Sequence, residues 1–250
     1  MSLHSFVFAA ADGKMIRGDR AEGKDRQILF ITGFLSKRWG NKSKALAEWC
    51  REKDWGFCCY DVRGFGESEG TFTDYTLSDW IADARLVLNT LISGPPITIV
   101  GNSLGGWIAW LMAQECQDIE RLILVAPAFN MMGVRARSIS EERCHAWLSA
   151  GWMPWDDEPA HRDFPLAWKW VEESEAYWKT SFDRLRPVST AILHGQQDSV
   201  ILPQGSSQFV EQLRALAPSF PVVLHLVLGD HRLSSPEHLD TFRRLVVGPR

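Results

Sequence analysis

No stretch of the 250-residue chain approaches the run of about eighteen apolar residues that a membrane-spanning helix requires. Met1 to Lys14 holds neither a basic leader nor an apolar segment long enough for a secretion signal. These absences predict a cytoplasmic protein with no integral membrane segment. A Lys/Arg-rich run is also missing: 27 basic against 31 acidic residues leave a net charge of −4. That surplus has the wrong sign for gripping a phosphate backbone, so nucleic acid is excluded as the main partner. Cysteine is scarce and unpatterned. The five residues Cys50, Cys58, Cys59, Cys116 and Cys144 are odd in number and contain no Cys-x-x-Cys spacing, so they read as core thiols of a reducing compartment rather than a disulfide framework. There is no His-Glu-x-x-His or comparable ligand set for a metal, no internal repeat and no low-complexity segment.

What remains is an ordinary globular composition, 45% apolar and 23% charged, long enough to bury a large core without staples. Continuous apolar runs at 28–31, 57–60, 97–100, 122–126 and 191–193 suit strands covered on both faces of a mainly parallel sheet. Between them, 41–53, 76–93, 103–115 and 204–216 carry apolar residues at helical spacing, as in the stripe Trp80, Ala84, Val87, Leu88, Leu91. This alternation predicts a βαβ architecture. A last strand is expected over 222–228 and a closing helix over 236–247, opened by Ser235 and Pro236, while the first 20 residues predict an antiparallel strand pair at the sheet edge. Residues 129–182 break the rhythm and hold six of the twelve tryptophans, Trp147, Trp152, Trp155, Trp168, Trp170 and Trp178. Their length predicts a helical lid inserted between two core segments, 1–128 and 183–250; the alternative is a crossover whose extra helices fill the core.

Gly101-Asn102-Ser103-Leu104-Gly105 fits G-x-S-x-G. The bare pattern would arise by chance in roughly one chain in ten of this length. Its setting is more specific: a strand-like run precedes it and an apolar helical run follows, so Ser103 projects from a sharp strand-to-helix turn. Glycines at 101 and 105 let strand and helix approach each other there. A serine hydroxyl needs a base within hydrogen-bond reach. Of seven histidines, His231 is best placed, in the short loop Gly229-Asp230-His231-Arg232 directly after the last predicted strand. His225 lies within that strand, His194 ends an earlier one, His238 belongs to the terminal helix, His145 and His161 to the lid, and His4 to the first residues. The base needs an orienting carboxylate; Asp198, after the strand at 191–193, completes the order Ser, Asp, His. Asp230 adjoins His231 and is expected to point away from it. Backbone N–H groups of Leu104 and of Phe34, in the loop Thr32-Gly33-Phe34-Leu35, are the expected oxyanion donors, with Leu35 as the near alternative to Phe34. The Gly-rich segment Asp61-Val62-Arg63-Gly64-Phe65-Gly66-Glu67-Ser68 lacks the spacing and the Gly-Lys-Ser/Thr ending of nucleotide loops.

From Ile28 to Arg243 these segments resemble the α/β-hydrolase superfamily, with Asp61-x-Arg-Gly-x-Gly-x-Ser as the loop after its fourth strand. More narrowly, Thr32-Gly33-Phe34-Leu35-Ser36, Lys44-Ala45-Leu46, Gly101 to Trp107 and Asp230-His231-Arg232 resemble the branch of palmitoyl-protein thioesterases and acyl-glucuronide esterases. Thr32 and the poorly matching 129–182 depart from that branch. The resemblance implies a mainly parallel eight-stranded sheet flanked by helices and a Ser103–His231–Asp198 hydrolase acting on small acyl esters or thioesters without a cofactor. Carbon–carbon hydrolysis, cofactor-free perhydrolysis and a non-catalytic ligand-binding module are the alternatives. The tryptophan-rich lid further predicts an apolar acyl pocket beneath it.

Overall fold

A computed structural model describes residues 2–91, 96–155 and 163–247. Strands β1 (His4–Ala9) and β2 (Met15–Ala21) form the expected antiparallel pair at the edge of one eight-stranded sheet. The other six are β3 (Gln27–Ile31), β4 (Gly56–Tyr60), β5 (Ile97–Asn102), β6 (Ile119–Val125), β9 (Ser189–Gly195) and β10 (Val222–Val227), in the spatial order β1-β2-β4-β3-β5-β6-β9-β10. Apart from β1–β2 and β2–β4, every pairing in it is parallel.

The central strands are apolar without alternation because both faces are covered. Ile28 and Phe30 of β3 enter one core with Val100, Ile123 and Leu193, closed by Leu46 and Trp49 of α1 (Asn41–Lys53) and Phe242 and Val246 of α8 (Pro236–Val247). Leu29 and Ile31 enter the opposite core with Ile99, Leu122, Leu124 and Ile192. That face is closed by α2 (Leu77–Leu91), α3 (Leu104–Glu115) and α7 (Pro203–Leu216). The period-two pleat thus sorts adjacent residues into two layers. Helix α8 begins as its sequence suggests, Ser235 Oγ accepting the His238 N–H at 3.3 Å. All five cysteines are free thiols; Cys50, Cys58 and Cys59 are buried, Cys116 and Cys144 half-buried.

Between β6 and β9 lie α4 (Met131–Ser138), α5 (Glu141–Ala150), a short antiparallel pair β7 (Trp152–Met153) and β8 (Leu166–Ala167), and α6 (Trp168–Thr180). Their tryptophans are mostly structural. Trp147 and Trp170 are buried, and their indole N–H groups donate to the Leu166 and Tyr75 carbonyls at 2.9 and 2.8 Å. Trp168 packs edge-on to Trp147, Trp178 packs on Phe129, Phe182 and Phe209, and Trp152 is exposed. Large rings at helical spacing are used to tie the excursion to the core.

Candidate active site

Because the strands run parallel, the carboxyl ends of β3, β5, β6, β9 and β10 share one edge, where loops of distant sequence converge. Ser103 sits between β5 and α3 with φ +54° and ψ −120°. Three backbone hydrogen bonds hold it: its N–H donates to the Val125 carbonyl at 2.8 Å, and its carbonyl accepts from Gly106 at 2.9 Å and Ala128 at 3.0 Å. The flanking glycines are required by contact with backbone. A Cβ on Gly101 would lie 2.3 Å from the Gly105 carbonyl oxygen, and one on Gly105 2.2 Å from that of Ile31.

Asp198, in the turn after β9, and His231, in the loop after β10, meet at this edge: His231 Nδ1 lies 2.7 Å from Asp198 Oδ2. A carboxylate oxygen only accepts, so Nδ1 carries the hydrogen and Nε2 presents its lone pair. Asp198 is buried, and its other oxygen, Oδ1, accepts the N–H groups of Val200 at 2.9 Å and Ile201 at 2.8 Å. Burial opposes its charge, but hydrogen bonds from His194, His231 and the Ile201 N–H outweigh burial and hold the carboxyl well below the usual range. Asp230 turns away as expected, its Oδ1 accepting the N–H groups of Arg232 and Leu233, both at 3.1 Å. His194 is the residue sequence reasoning passed over: its Nε2 lies 3.1 Å from the same Asp198 Oδ2. Among the other described histidines, His4, His145, His225 and His238 neither contact Asp198 nor line the cavity below; His161 lies outside the described residues.

Ser103 and His231 line one cavity of about 1120 Å³. Among the described residues no hydrogen bond joins the two side chains, an arrangement open to a substrate between them. At its floor, Gly33 approaches the serine so closely that a Cβ there would lie 3.1 Å from Ser103 Cβ. Gly33 to Ser36 is a turn closed by a 3.2 Å bond from the Ser36 N–H to the Gly33 carbonyl, with Leu35 at φ +50°. Neither the Phe34 nor the Leu104 N–H has an acceptor among the described residues, and the Leu35 N–H is equally unused.

The far end of that loop is anchored by charge. Arg38 is buried between Asp19 of β2 and Asp61 after β4: its Nε donates to Asp19 Oδ2 at 2.7 Å, a guanidinium N–H donates to Asp61 Oδ2, and its backbone N–H reaches Asp61 Oδ1 at 2.6 Å. Glu67 adds a further contact at 2.7 Å. The Asp61 to Ser68 segment therefore braces the loop that follows β3, a role the sequence pattern did not reveal. The Phe34 ring meets Phe72, Trp80, Trp155 and Trp170 at 5.2 to 5.7 Å between centroids.

The excursion contributes Met131, Met132, Val134, Arg135 and Trp155 to the cavity. Of its six tryptophans, only Trp155 does so among the described residues; Trp147 and Trp170 are buried in packing and Trp152 is exposed. Four cationic side chains, Lys37, Lys42, Arg135 and Arg232, line the cavity, and no carboxylate does among the described residues. Lys42 donates to the Arg232 carbonyl, and burial pushes its ammonium down to about 8 against the pull of Asp230.

A sequence profile of the family described as serine aminopeptidase, S33, matches residues 24–182. Palmitoyl-protein thioesterase ABHD10, mitochondrial, of Mus musculus is 27% identical over 216 residues, which cover 86% of this chain and 71% of that protein. Among solved structures, alpha/beta hydrolase domain-containing protein 10 from mouse superposes with a TM-score of 0.86 at 23% identity, covering 99% of this chain and 97% of that one. A putative hydrolase from Agrobacterium vitis S4 superposes with a TM-score of 0.84 at 25% identity, covering 98% and 97%.

Proposed function

Because the chain belongs to the serine aminopeptidase (S33) family and has the α/β-hydrolase fold, we propose that it hydrolyses carboxylic esters, and acyl thioesters as a second class, through a serine acyl-enzyme. The observation that carries this reading is the 2.7 Å His231–Asp198 contact, with His231 lining the same cavity as Ser103 on its strained turn. Ser103 Oγ attacks the substrate carbonyl while His231 Nε2 takes its proton. Asp198 keeps Nδ1 protonated and stabilises the imidazolium that forms. His231 then gives the proton to the departing alcohol or thiol, activates water, and the acyl group leaves as the acid. The N–H groups of Phe34 and Leu104 receive the oxyanion, each donor worth about 3 kcal/mol in the transition state. The unused state of both amides supports this assignment.

The described lining carries Lys37, Lys42, Arg135 and Arg232, and these cations support ester hydrolysis over removal of an N-terminal residue, whose α-ammonium they would repel. The thioester class draws on the name of the mouse relative. Residues 129–182 act as the lid: Met131, Met132, Val134 and Trp155 supply apolar wall for an acyl arm. The free thiols agree with a reducing, cytoplasmic setting. A fluorophosphonate probe should label the protein and lose its target in Ser103→Ala, with turnover of p-nitrophenyl butyrate and of an S-acyl analogue lost together. Undiminished labelling of that variant would refute the nucleophile.

A further inference from the structure

The carboxylate of Asp198 is shared between two histidines. His194, the penultimate residue of β9, is fully buried, and each of its ring nitrogens is engaged. Nε2 lies 2.9 Å from the Ile201 carbonyl oxygen and 3.1 Å from Asp198 Oδ2; Nδ1 lies 2.7 Å from Ser206 Oγ of α7. A carbonyl only accepts, which assigns the ring hydrogen to Nε2. The Nε2–H is therefore split between Ile201 and Asp198, and the Nδ1 lone pair accepts the Ser206 hydroxyl hydrogen. Four donors converge on one carboxylate: Val200 and Ile201 N–H on Oδ1, His231 and His194 on Oδ2.

A histidine that merely fills the core would be satisfied by Ser206 and Ile201. The third contact falls on the very oxygen that accepts from His231. We propose that His194 is a positioning residue of the reaction put forward above: its Nε2–H fixes the rotamer of Asp198 and draws electron density from Oδ2, weakening the pull of that oxygen on His231. The chain Ser206–His194–Asp198–His231 extends the constellation one helix further into the protein than the reaction strictly needs. Its effect has a definite sign. Removing the His194 donor leaves Oδ2 more basic and the protonated form of His231 better stabilised. The inactive, protonated base then persists to higher pH, and the acid limb of the rate profile moves upward.

The substitution leaves the other titratable and charged groups on this side of the fold unaltered in the sequence. They are Lys42 of α1, which donates to the Arg232 carbonyl, Asp230 and Arg232 of the His231 loop, Lys37 and Arg135 of the same cavity, and His238 of α8, whose Nε2 is 2.7 Å from the Leu228 carbonyl oxygen.

The test compares wild type, His194→Phe, which keeps a ring but no donor, and His194→Gln, whose side-chain amide can donate to Asp198 and accept from Ser206. Should the phenyl ring prevent folding, His194→Met supplies an apolar side chain that adapts to the same space. Two readouts are taken: kcat/KM for p-nitrophenyl butyrate against pH, normalised to active sites, and the downfield proton resonance of His231 Nδ1–H, which needs no turnover. The expected result is an acid limb raised by about half a pH unit or more in the apolar variant, equivalent to roughly threefold in the protonation equilibrium, with a shifted resonance and recovery toward wild type in His194→Gln. An apolar variant with lower melting temperature but unmoved limb and unmoved resonance overturns the proposal and leaves His194 a core histidine. The two readings fail separately: persistent probe labelling in Ser103→Ala refutes the nucleophile, while the resonance still decides whether His194 acts on the Asp198–His231 pair.

Discussion

Replacing Gly105 by alanine isolates the close approach on which the turn at Ser103 depends. Alanine is the better helix former by up to about 1 kcal/mol, so at an unobstructed second helical position it would stabilise α3. Here the new Cβ would lie 2.2 Å from the Ile31 carbonyl oxygen and 2.4 Å from that of Thr32, both backbone atoms of the segment that leads to Phe34. An ordinary carbon–oxygen contact is about 3.3 Å, so the end of β3 and the turn after it must retreat by about 1 Å. Overpacking of this kind costs about 1–3 kcal/mol, more than the helical gain, and the net should be a loss of about 1–2 kcal/mol. In the reaction proposed above, the same displacement carries the Phe34 N–H away from the oxyanion; misplacement on this scale is worth about 100-fold in rate. Thermal melts and active-site-titrated p-nitrophenyl butyrate kinetics should show a melting temperature lower by about 2–8 °C and kcat/KM lower by about 100-fold, chiefly in kcat. A variant that melts at or above the wild-type temperature with kcat/KM within threefold would refute the reasoning.

Four further substitutions address separate parts of the site. Arg38→Met strands the buried carboxylates of Asp19 and Asp61 and should cost about 3–5 kcal/mol in urea unfolding; a loss under about 1 kcal/mol would contradict the bracing role given to Arg38. Asp198→Asn should lower kcat by about three to four orders of magnitude through loss of the productive His231 tautomer, measured by stopped-flow acylation. Its stability difference from wild type should also depend on pH. A folded-state carboxyl held below its usual range contributes stability above about pH 4, and the contribution fades as pH falls through the folded value. Melting curves that differ by a constant amount across that range would show the reverse. Trp155→Ala should alter the p-nitrophenyl ester chain-length profile with a small change in melting, whereas Trp147→Ala should cost about 3–5 kcal/mol and leave the profile of the folded fraction unchanged.

The features legible in the sequence are those whose physics is local. Strands β3, β4 and β5 stand out because burial on both faces leaves their interiors apolar, Thr98 of β5 excepted, and the ends of α1 and α8 coincide with the predicted ones. Strands β6 and β9 begin earlier than their apolar runs, at Ile119 and Ser189, because their first residues pair in the ladder while some side chains, such as Glu120 and Ser189, face solvent. Ser103, Asp198 and His231 could be singled out because each follows a recognisable strand, and one sheet edge gathers such loops. His194 could not. Its position at the end of a strand is equally consistent with a ring facing either layer, and its tie to Asp198 depends on the turn between them closing at the Asp198 N–H to Gly195 carbonyl contact of 3.2 Å. The Arg38 cluster was hidden for another reason: it joins residues 19, 38, 61 and 67, whose separation in the chain carries no periodic signal. The sequence could not say which tryptophans of 129–182 reach the cavity, because ring size signals burial without saying what is buried against.

The backbone of Ser103 carries a cost that its hydroxyl does not share. At φ +54° and ψ −120° a side-chain-bearing residue is strained, and glycine at that point would relieve about 1–2 kcal/mol. Durability and reactivity therefore pull this position in opposite directions. A population of such chains kept only for surviving heat, with nothing asked of their chemistry, would be expected to surrender the serine before almost any other buried residue.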